Sequence, residues 1–123
     1  MDNSRNGDNN EPTTEIVLPL VVDRLVQFMQ KAQCRIDVCV DNTLPLLAIE
    51  FNQIRQVFID ARKSDIAIRY ITEITKDNLG YCKELMSTVD ELRHLDGIKG
   101  NFYVTEQEYV VLVFMRRESS QNG

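Results

Sequence analysis

Hydrophobic residues recur along this chain with two different periods, and the alternation between the two periods outlines the fold. From Leu18 they fall at positions 18, 22, 25, 29 and 32, which lines one face of a helix running from about Pro19 to Ala32. A proline is tolerated only in the first turn of a helix, and this sets the predicted start. In the run RIDVCV at 35–40 apolar and polar residues alternate, which is the pattern of a strand.

The same two periods predict two more helices and three more strands. The run LLAIEFNQIRQVFIDARKS has apolar residues at helical spacing. Residues 77–92 show the same spacing, and Thr75 and Asn78 are residue types typical of a helix start. Between these helices, AIRYITEI at 67–74 is apolar on both faces, which favours an interior strand. The runs NFYVT and YVVLVFM, separated by EQE, predict a closing hairpin.

The resulting order, αβαβαββ, predicts an α/β fold with a mixed sheet. Strands that alternate with helices pair in parallel through right-handed crossovers, and the hairpin adds an antiparallel edge. Residues 1–15 are polar and are predicted to be a disordered leader, residues 16–116 a single domain, and residues 117–123 a disordered tail. The apolar run at 109–115 predicts a homodimer, because an unprotected edge strand pairs with another chain.

Length and charge narrow the classes of function. The 123 residues suit one domain, and 14 Lys and Arg against 19 Asp and Glu are dispersed, with no basic stripe for nucleic acid. No apolar run approaches the ~20 residues that cross a bilayer, and the polar N-terminus is unlike a secretory signal, so a cytoplasmic location without membrane contact is expected. Cys34, Cys39 and Cys82 are predicted to be buried, reduced thiols.

Motifs that carry common chemistries are absent. The sequence has no GxxxxGK[ST], GxGxxG, HExxH or GxSxG, which argues against an enzyme. The single histidine, His94, stands among scattered carboxylates without the spacing of metal ligands, so neither a metal nor a cofactor is predicted.

Polar residues where the parallel strands end are the candidates for ligand binding, since ligands of open α/β sheets bind beyond the carboxyl ends of the strands. The predicted set is Asp41, Asn42, Arg69, Thr72, Glu73, Arg93 and His94. A structural interpretation stands beside it: Asp41 and Asn42 form an Asx turn, Thr75 caps a helix, and Arg69 pairs with Glu73 or Glu50.

Three runs, RYITEIT, YCKELM and ELRHLDGIKGNF, stand out as specific strings. Together with RIDVCVDNTLPLLAIE they resemble the N-terminal input domain of archaeal sensor histidine kinases, especially those of ammonia-oxidising archaea, over residues 20–111. That domain is similar to one half of a phospholipase D-like fold, with an H-x-K-x4-D signature on the hairpin. The corresponding spacing falls here on Lys99, Asn101 and Glu106, so hydrolysis through a phosphohistidine is not expected.

The resemblance implies a non-catalytic sensory or regulatory input module of a two-component system. It would bind an unknown small molecule or a protein partner such as a histidine kinase; the chain itself lacks the kinase boxes. One alternative is an effector domain that acts with an archaeal transcription regulator. Another is a residual phosphodiesterase-like enzyme that uses His94 with Asp96 and Glu91.

Overall fold

The computed structural model describes residues 10–113 of the chain. The helices are α1 (Asn10–Gln30), α2 (Pro45–Glu50), α3 (Asn52–Lys63) and α4 (Leu79–Leu85). The strands are β1 (Arg35–Val40), β2 (Ala67–Thr72), β3 (Glu91–His94), β4 (Phe102–Thr105) and β5 (Tyr109–Val111). The predicted tail and the last two residues of the predicted strand at 109–115 lie outside the described residues.

The five strands form one mixed sheet in the order β3-β2-β1-β4-β5. Strands β1, β2 and β3 are parallel, whereas β4 pairs antiparallel with β1 and β5 antiparallel with β4. The α/β class, the mixed sheet, the parallel pairing of the first two strands and the antiparallel hairpin at the edge are therefore confirmed. No described helix is long and apolar enough to cross a membrane.

Alternate residues of each central strand are buried, so the sheet has one covered and one open face. Strand β1 buries Ile36, Val38 and Val40, while β2 buries Ile68 and Tyr70. These side chains form the core together with apolar residues of α1, α2 and α3. The connections from β1 to β2 and from β2 to β3 both move in the same direction across the sheet. If both are right-handed, as parallel connections are, the helices within them lie on the same face of the sheet. We call the opposite side the open face.

The predicted second helix is two helices. Phe51 interrupts it with φ −101° and ψ 105°, an extended conformation between α2 and α3. The apolar stripe continues through the break, since Leu47 and Phe51 both pack on the core. Hydrophobic periodicity therefore could not reveal the interruption, and the prediction of one continuous helix is wrong.

The predicted third helix is too long, and the strand that follows it was missed. Helix α4 ends at Leu85, Met86 is 65% exposed, and Glu91–His94 form β3 instead of a helix end and loop. Asp90 directs the chain onto the sheet: its backbone N–H donates to the carbonyl of Ile68 (2.9 Å), and its carboxylate accepts the N–H of Ile68 (2.7 Å). This long-range pairing replaces the local helix.

The first helix begins at Asn10, well before the predicted start, and Pro19 lies inside it. Proline has no N–H to donate to the preceding turn, so α1 lacks one hydrogen bond at this position. The prediction that Pro19 occupies the first turn is therefore wrong. Of the predicted leader, residues 1–9 lie outside the described part, and residues 10–15 belong to α1.

Candidate functional site

The carboxyl ends of β1, β2 and β3 meet at one edge of the sheet, which we call the rim. Asp41 and Asn42 follow β1, Glu73 follows β2, and His94 ends β3. The loops are joined directly, because the hydroxyl of buried Thr72 donates to the backbone carbonyl of Asp41 over 3.0 Å. The structure thus brings most of the predicted ligand-binding residues to one place, as their positions after parallel strands predicted.

Asp41 organises the first rim loop. Its carboxylate accepts the backbone N–H of Thr43 (2.9 Å) and the Thr43 hydroxyl (2.6 Å), which is an Asx turn. Its backbone N–H donates to the side-chain oxygen of Asn101 over 2.9 Å. The structural interpretation of Asp41 is confirmed, and its carboxylate is largely used to shape the chain.

Asn78 is the residue that joins the two rim loops, and the sequence indicated only that it starts a helix. Its side-chain NH2 donates to the carbonyls of Asn42 (3.0 Å) and Glu73 (2.9 Å). Its side-chain oxygen accepts the N–H of Thr75 (2.8 Å), and the Thr75 hydroxyl accepts the N–H of Asn78 (3.3 Å). This reciprocal pair closes the turn before α4, whose N-cap residue is Asn78, so the prediction that Thr75 caps the helix is wrong.

An open pocket of about 280 Å³ lies beside the Asn78 bridge. It is lined by Asn42, Thr43, Leu46, Thr75, Asp77, Asn78 and Tyr81, and we call it the rim pocket. The Tyr81 hydroxyl donates to the Glu50 carboxylate over 3.2 Å, and this negative charge raises the pKa of Tyr81. The lining offers hydroxyl, amide and carboxylate groups around one apolar side chain, which suits a small polar molecule.

His94 lies at the rim with both ring nitrogens engaged. Nδ1 accepts the backbone N–H of Ile74 (2.9 Å), so in the neutral ring Nε2 carries the proton and donates to Asp96 (2.8 Å). Glu91 lies at the other end of β3, where its carboxylate is 3.8 Å from the Arg93 guanidinium. The three residues suggested for a phosphodiesterase-like enzyme are therefore not brought together around the imidazole.

Arg69 and Arg93 lie on the open face instead of at the rim. The Arg69 guanidinium donates to both carboxylate oxygens of Asp37, over 2.8 and 3.0 Å, and this hydrogen-bonded pair raises the pKa of Arg69. Asp37 is its partner because the parallel register sets the two residues side by side. The predicted pairing of Arg69 with Glu73 or Glu50 is wrong, since register between strands cannot be read from spacing along one strand.

The open face carries an apolar row beside these charges. Ile71, Cys39, Phe102 and Val111 are aligned across β2, β1, β4 and β5 by the strand register. Phe102 is 40% exposed and Val111 is 44% exposed. This row has no covering helix among the described residues.

The cysteines occupy three different environments. Cys82 is buried and Cys39 is half-buried, and burial raises the pKa of both thiols. Cys34 is exposed, so the prediction of a buried thiol is wrong there. Cys34 lies just before β1, and the burial of alternate side chains begins only inside that strand.

The positions that correspond to the phospholipase signature lie at opposite ends of the sheet. Asn101 is buried at the rim beside Asp41. Glu106, in the hairpin turn, accepts the backbone N–H groups of Gln33 (2.7 Å), Cys34 (3.1 Å) and Arg35 (3.2 Å). The hydrogen bond from Gln33 contributes most to lowering the pKa of Glu106 from 4.5 to about 2. Asn101 and Glu106 thus each hold a neighbouring loop in place by accepting hydrogen bonds from its backbone N–H groups.

Comparison with known proteins returned no match: no family model, curated protein or solved structure matches the chain. Within the described part of the chain, no group of three or more His, Cys, Asp and Glu side chains is placed to hold a metal ion. The resemblance to kinase input domains stays a prediction.

Proposed function

We propose that this protein is a non-catalytic regulatory module that binds a small polar ligand in the rim pocket. The observation that carries the proposal is the position of that pocket, beside the carboxyl ends of β1 and β2. Open α/β sheets bind ligands at such places because loops from neighbouring strands converge there. The pocket of about 280 Å³ is close to the lower end of ligand sites, roughly 300 Å³, so the ligand is small.

The groups that line the rim pocket define the chemistry of the ligand. Asp77 is acidic, the Tyr81 hydroxyl donates to the carboxylate of Glu50, and the lining residues include no Lys or Arg. Carboxylates, hydroxyls and carbonyl oxygens accept hydrogen bonds, so a ligand rich in donors, such as a small amine or amide, fits best.

Asn78 supplies the link between binding and regulation. Its side chain holds the loop after β1 and the loop after β2 at once, and it also lines the pocket. A ligand that contacts Asn78 therefore stabilises one relative arrangement of the two loops. A module of this kind transmits occupancy to whatever protein contacts the rim.

The signalling context belongs to the same proposal. The resemblance to input domains of archaeal histidine kinases supports a role in a two-component system, with a kinase as partner, in the cytoplasm. It also supports one half of a phospholipase D-like fold, for which the resemblance implies a succession of strand, helix, strand, helix and hairpin. Strand β3 is an additional strand beyond that succession. The engagement of both His94 nitrogens supports regulation over phosphodiester hydrolysis.

A thermal-shift screen tests the proposal, because a ligand of the native state raises the melting temperature by mass action. Small amines, amides, amino acids and nucleotides are the first compounds to screen. The expected result is a concentration-dependent rise that Asp77→Asn and Tyr81→Phe each reduce. Asp23→Asn, on α1 and outside the pocket lining, is the matched control and keeps the full shift.

Two outcomes would contradict ligand binding in the rim pocket. A screen in which no compound shifts the wild-type protein removes the small-molecule proposal and favours a protein-binding module. A shift that both pocket variants retain places the ligand elsewhere on the chain.

A further inference from the structure

The two edges of the sheet differ in how they are protected against pairing with another strand. Strand β3, at one edge, contains Glu91, Arg93 and His94 among its four residues. Charged side chains on an edge strand oppose pairing, because pairing would bring them together and remove water from them. Strand β5, at the other edge, has no such protection: the run from Tyr109 to Val113 contains no charged residue and no proline.

The backbone of β5 has hydrogen-bonding groups that point away from the sheet. The N–H of Leu112 donates to Asn101 (2.9 Å), and the carbonyl of Glu108 accepts from Thr105 (2.8 Å), so even-numbered residues bond towards β4. In an antiparallel ladder successive residues alternate in direction. Tyr109, Val111 and Val113 therefore direct their N–H and carbonyl groups to the edge of β5 that no other described strand occupies.

We propose that β5 pairs antiparallel with β5 of a second copy of this chain, about a two-fold axis at Val111. Val111 then exchanges two hydrogen bonds with its own counterpart, and Tyr109 does the same with Val113. Each pair joins two odd-numbered residues, and the side chains of directly paired residues lie on the same face of a sheet. The open faces of the two copies therefore lie on the same side. The sheet becomes continuous across the interface, and the apolar row of Phe102 and Val111 joins its symmetry mate.

Charge complementarity selects a second copy as the occupant of this edge. In the sequence, Glu108 precedes the uncharged run, and Arg116 and Arg117 follow it. The run therefore has opposite charges before and after it in the sequence, so an antiparallel strand of the same sequence is complementary to it in charge. Tyr109 and Val113 also form a cross-strand aromatic and β-branched pair, which stabilises antiparallel strands.

Analytical ultracentrifugation of the full chain with paired charge variants tests this interface. The wild-type protein is expected at twice the chain mass of 14.2 kDa. Val111→Lys and Val111→Glu each place like charges opposite one another at the two-fold axis, so each variant alone is expected at the chain mass. Mixing the two variants sets Lys against Glu and is expected to restore the dimer.

Leu95→Lys provides the matched control, because Leu95 is an exposed apolar residue just after the β3 edge strand. That variant is expected to remain a dimer, and circular dichroism melting should show all variants folded. A wild-type protein that stays at the chain mass throughout the micromolar range overturns the proposal, and so does a Val111→Lys protein that stays at twice that mass. Failure of the mixture to reassociate overturns the Val111 axis. Ligand binding in the rim pocket does not enter any of these outcomes.

Discussion

The covered and open faces of the sheet are built from alternate residues of the same strands, yet different forces hold them. On the covered face, Ile36, Val38 and Tyr70 are fully removed from water by the helices. On the open face, Asp37 and Arg69 form an ion pair that remains partly solvated. Burial stabilises the first face through apolar area, whereas solvent weakens the electrostatic contacts of the second. Alternate residues of one strand thus contribute either to the buried core or to the charged surface.

Truncating one aromatic ring on each face should give the largest contrast. Phe58, in α3, is fully buried and contacts Tyr70 edge-to-face with ring centroids 6.3 Å apart. Phe58→Ala is expected to lower the free energy of unfolding by about 3–5 kcal/mol, since the core cannot close the cavity. Phe102→Ala on the open face is the control and should cost about 1 kcal/mol or less. Urea denaturation measures both; equal losses would mean that the open face is covered in solution.

A smaller contrast is expected between two hydroxyls of β2 that both lie on the covered face. The Thr72 hydroxyl donates to the carbonyl of Asp41, while the Tyr70 hydroxyl has no hydrogen-bond partner among the described residues. Thr72→Val should therefore cost about 1 kcal/mol, because it removes a buried hydrogen bond. Tyr70→Phe should leave the stability unchanged or raise it slightly.

The reverse ranking of these two variants in urea denaturation would show that Tyr70 makes a polar contact in solution.

Burial also raises the pKa of Tyr70, so its phenol stays neutral in the folded protein. The absorbance of ionised tyrosine should accordingly stay below that of four freely titrating tyrosines until alkali unfolds the chain.

Neutralising Asp37 should have a smaller effect than truncating the core. Its partners are exposed, with side-chain exposures of 56% for Arg69 and 50% for Arg35. Asp37→Asn is expected to cost about 0.2–1 kcal/mol, as surface ion pairs do. The loss should shrink at high salt, which screens the wild-type pair. Urea denaturation at two ionic strengths measures it, and a loss that salt does not change would argue against an electrostatic origin.

The contribution of Glu106 to stability is expected to depend on pH, being fully present at neutral pH and lost in acid. Its folded pKa of about 2 lies below the ordinary 4.5, so the carboxylate stabilises the fold above pH 4.5. That stabilisation is lost as the pH falls from 4.5 towards 2, because the unfolded chain takes up a proton on this carboxylate while the folded chain does not. Glu106→Gln should flatten this part of the melting temperature profile.

Asp23→Asn is the control for the acid profile, since Asp23 is an exposed acid on α1, outside the hairpin turn. Its profile should follow the wild-type protein between pH 2 and 4.5. An unchanged slope in Glu106→Gln would show that Glu106 does not hold the loop at residues 33–35.

The candidate site was only partly predictable from sequence. The rim residues Asp41, Asn42, Thr72 and Glu73 meet because carboxyl ends of parallel strands converge, which strand order along the chain already implies. Asn78 was missed as a bridge because its two acceptors are backbone carbonyls far apart in sequence. Every residue has a backbone carbonyl, so the residue type does not show which carbonyls will accept these hydrogen bonds.

The sequence by itself determined the α/β class, the strands β1 and β2 and the closing hairpin, because periods of two and 3.6 residues record which side chains avoid water. Only the tertiary structure decided the break at Phe51, the strand at Glu91–His94 and the partner of Arg69. Each of these depends on which strand lies beside which, and in what register. Such pairings join residues that are distant along the chain, so local pattern carries no information about them.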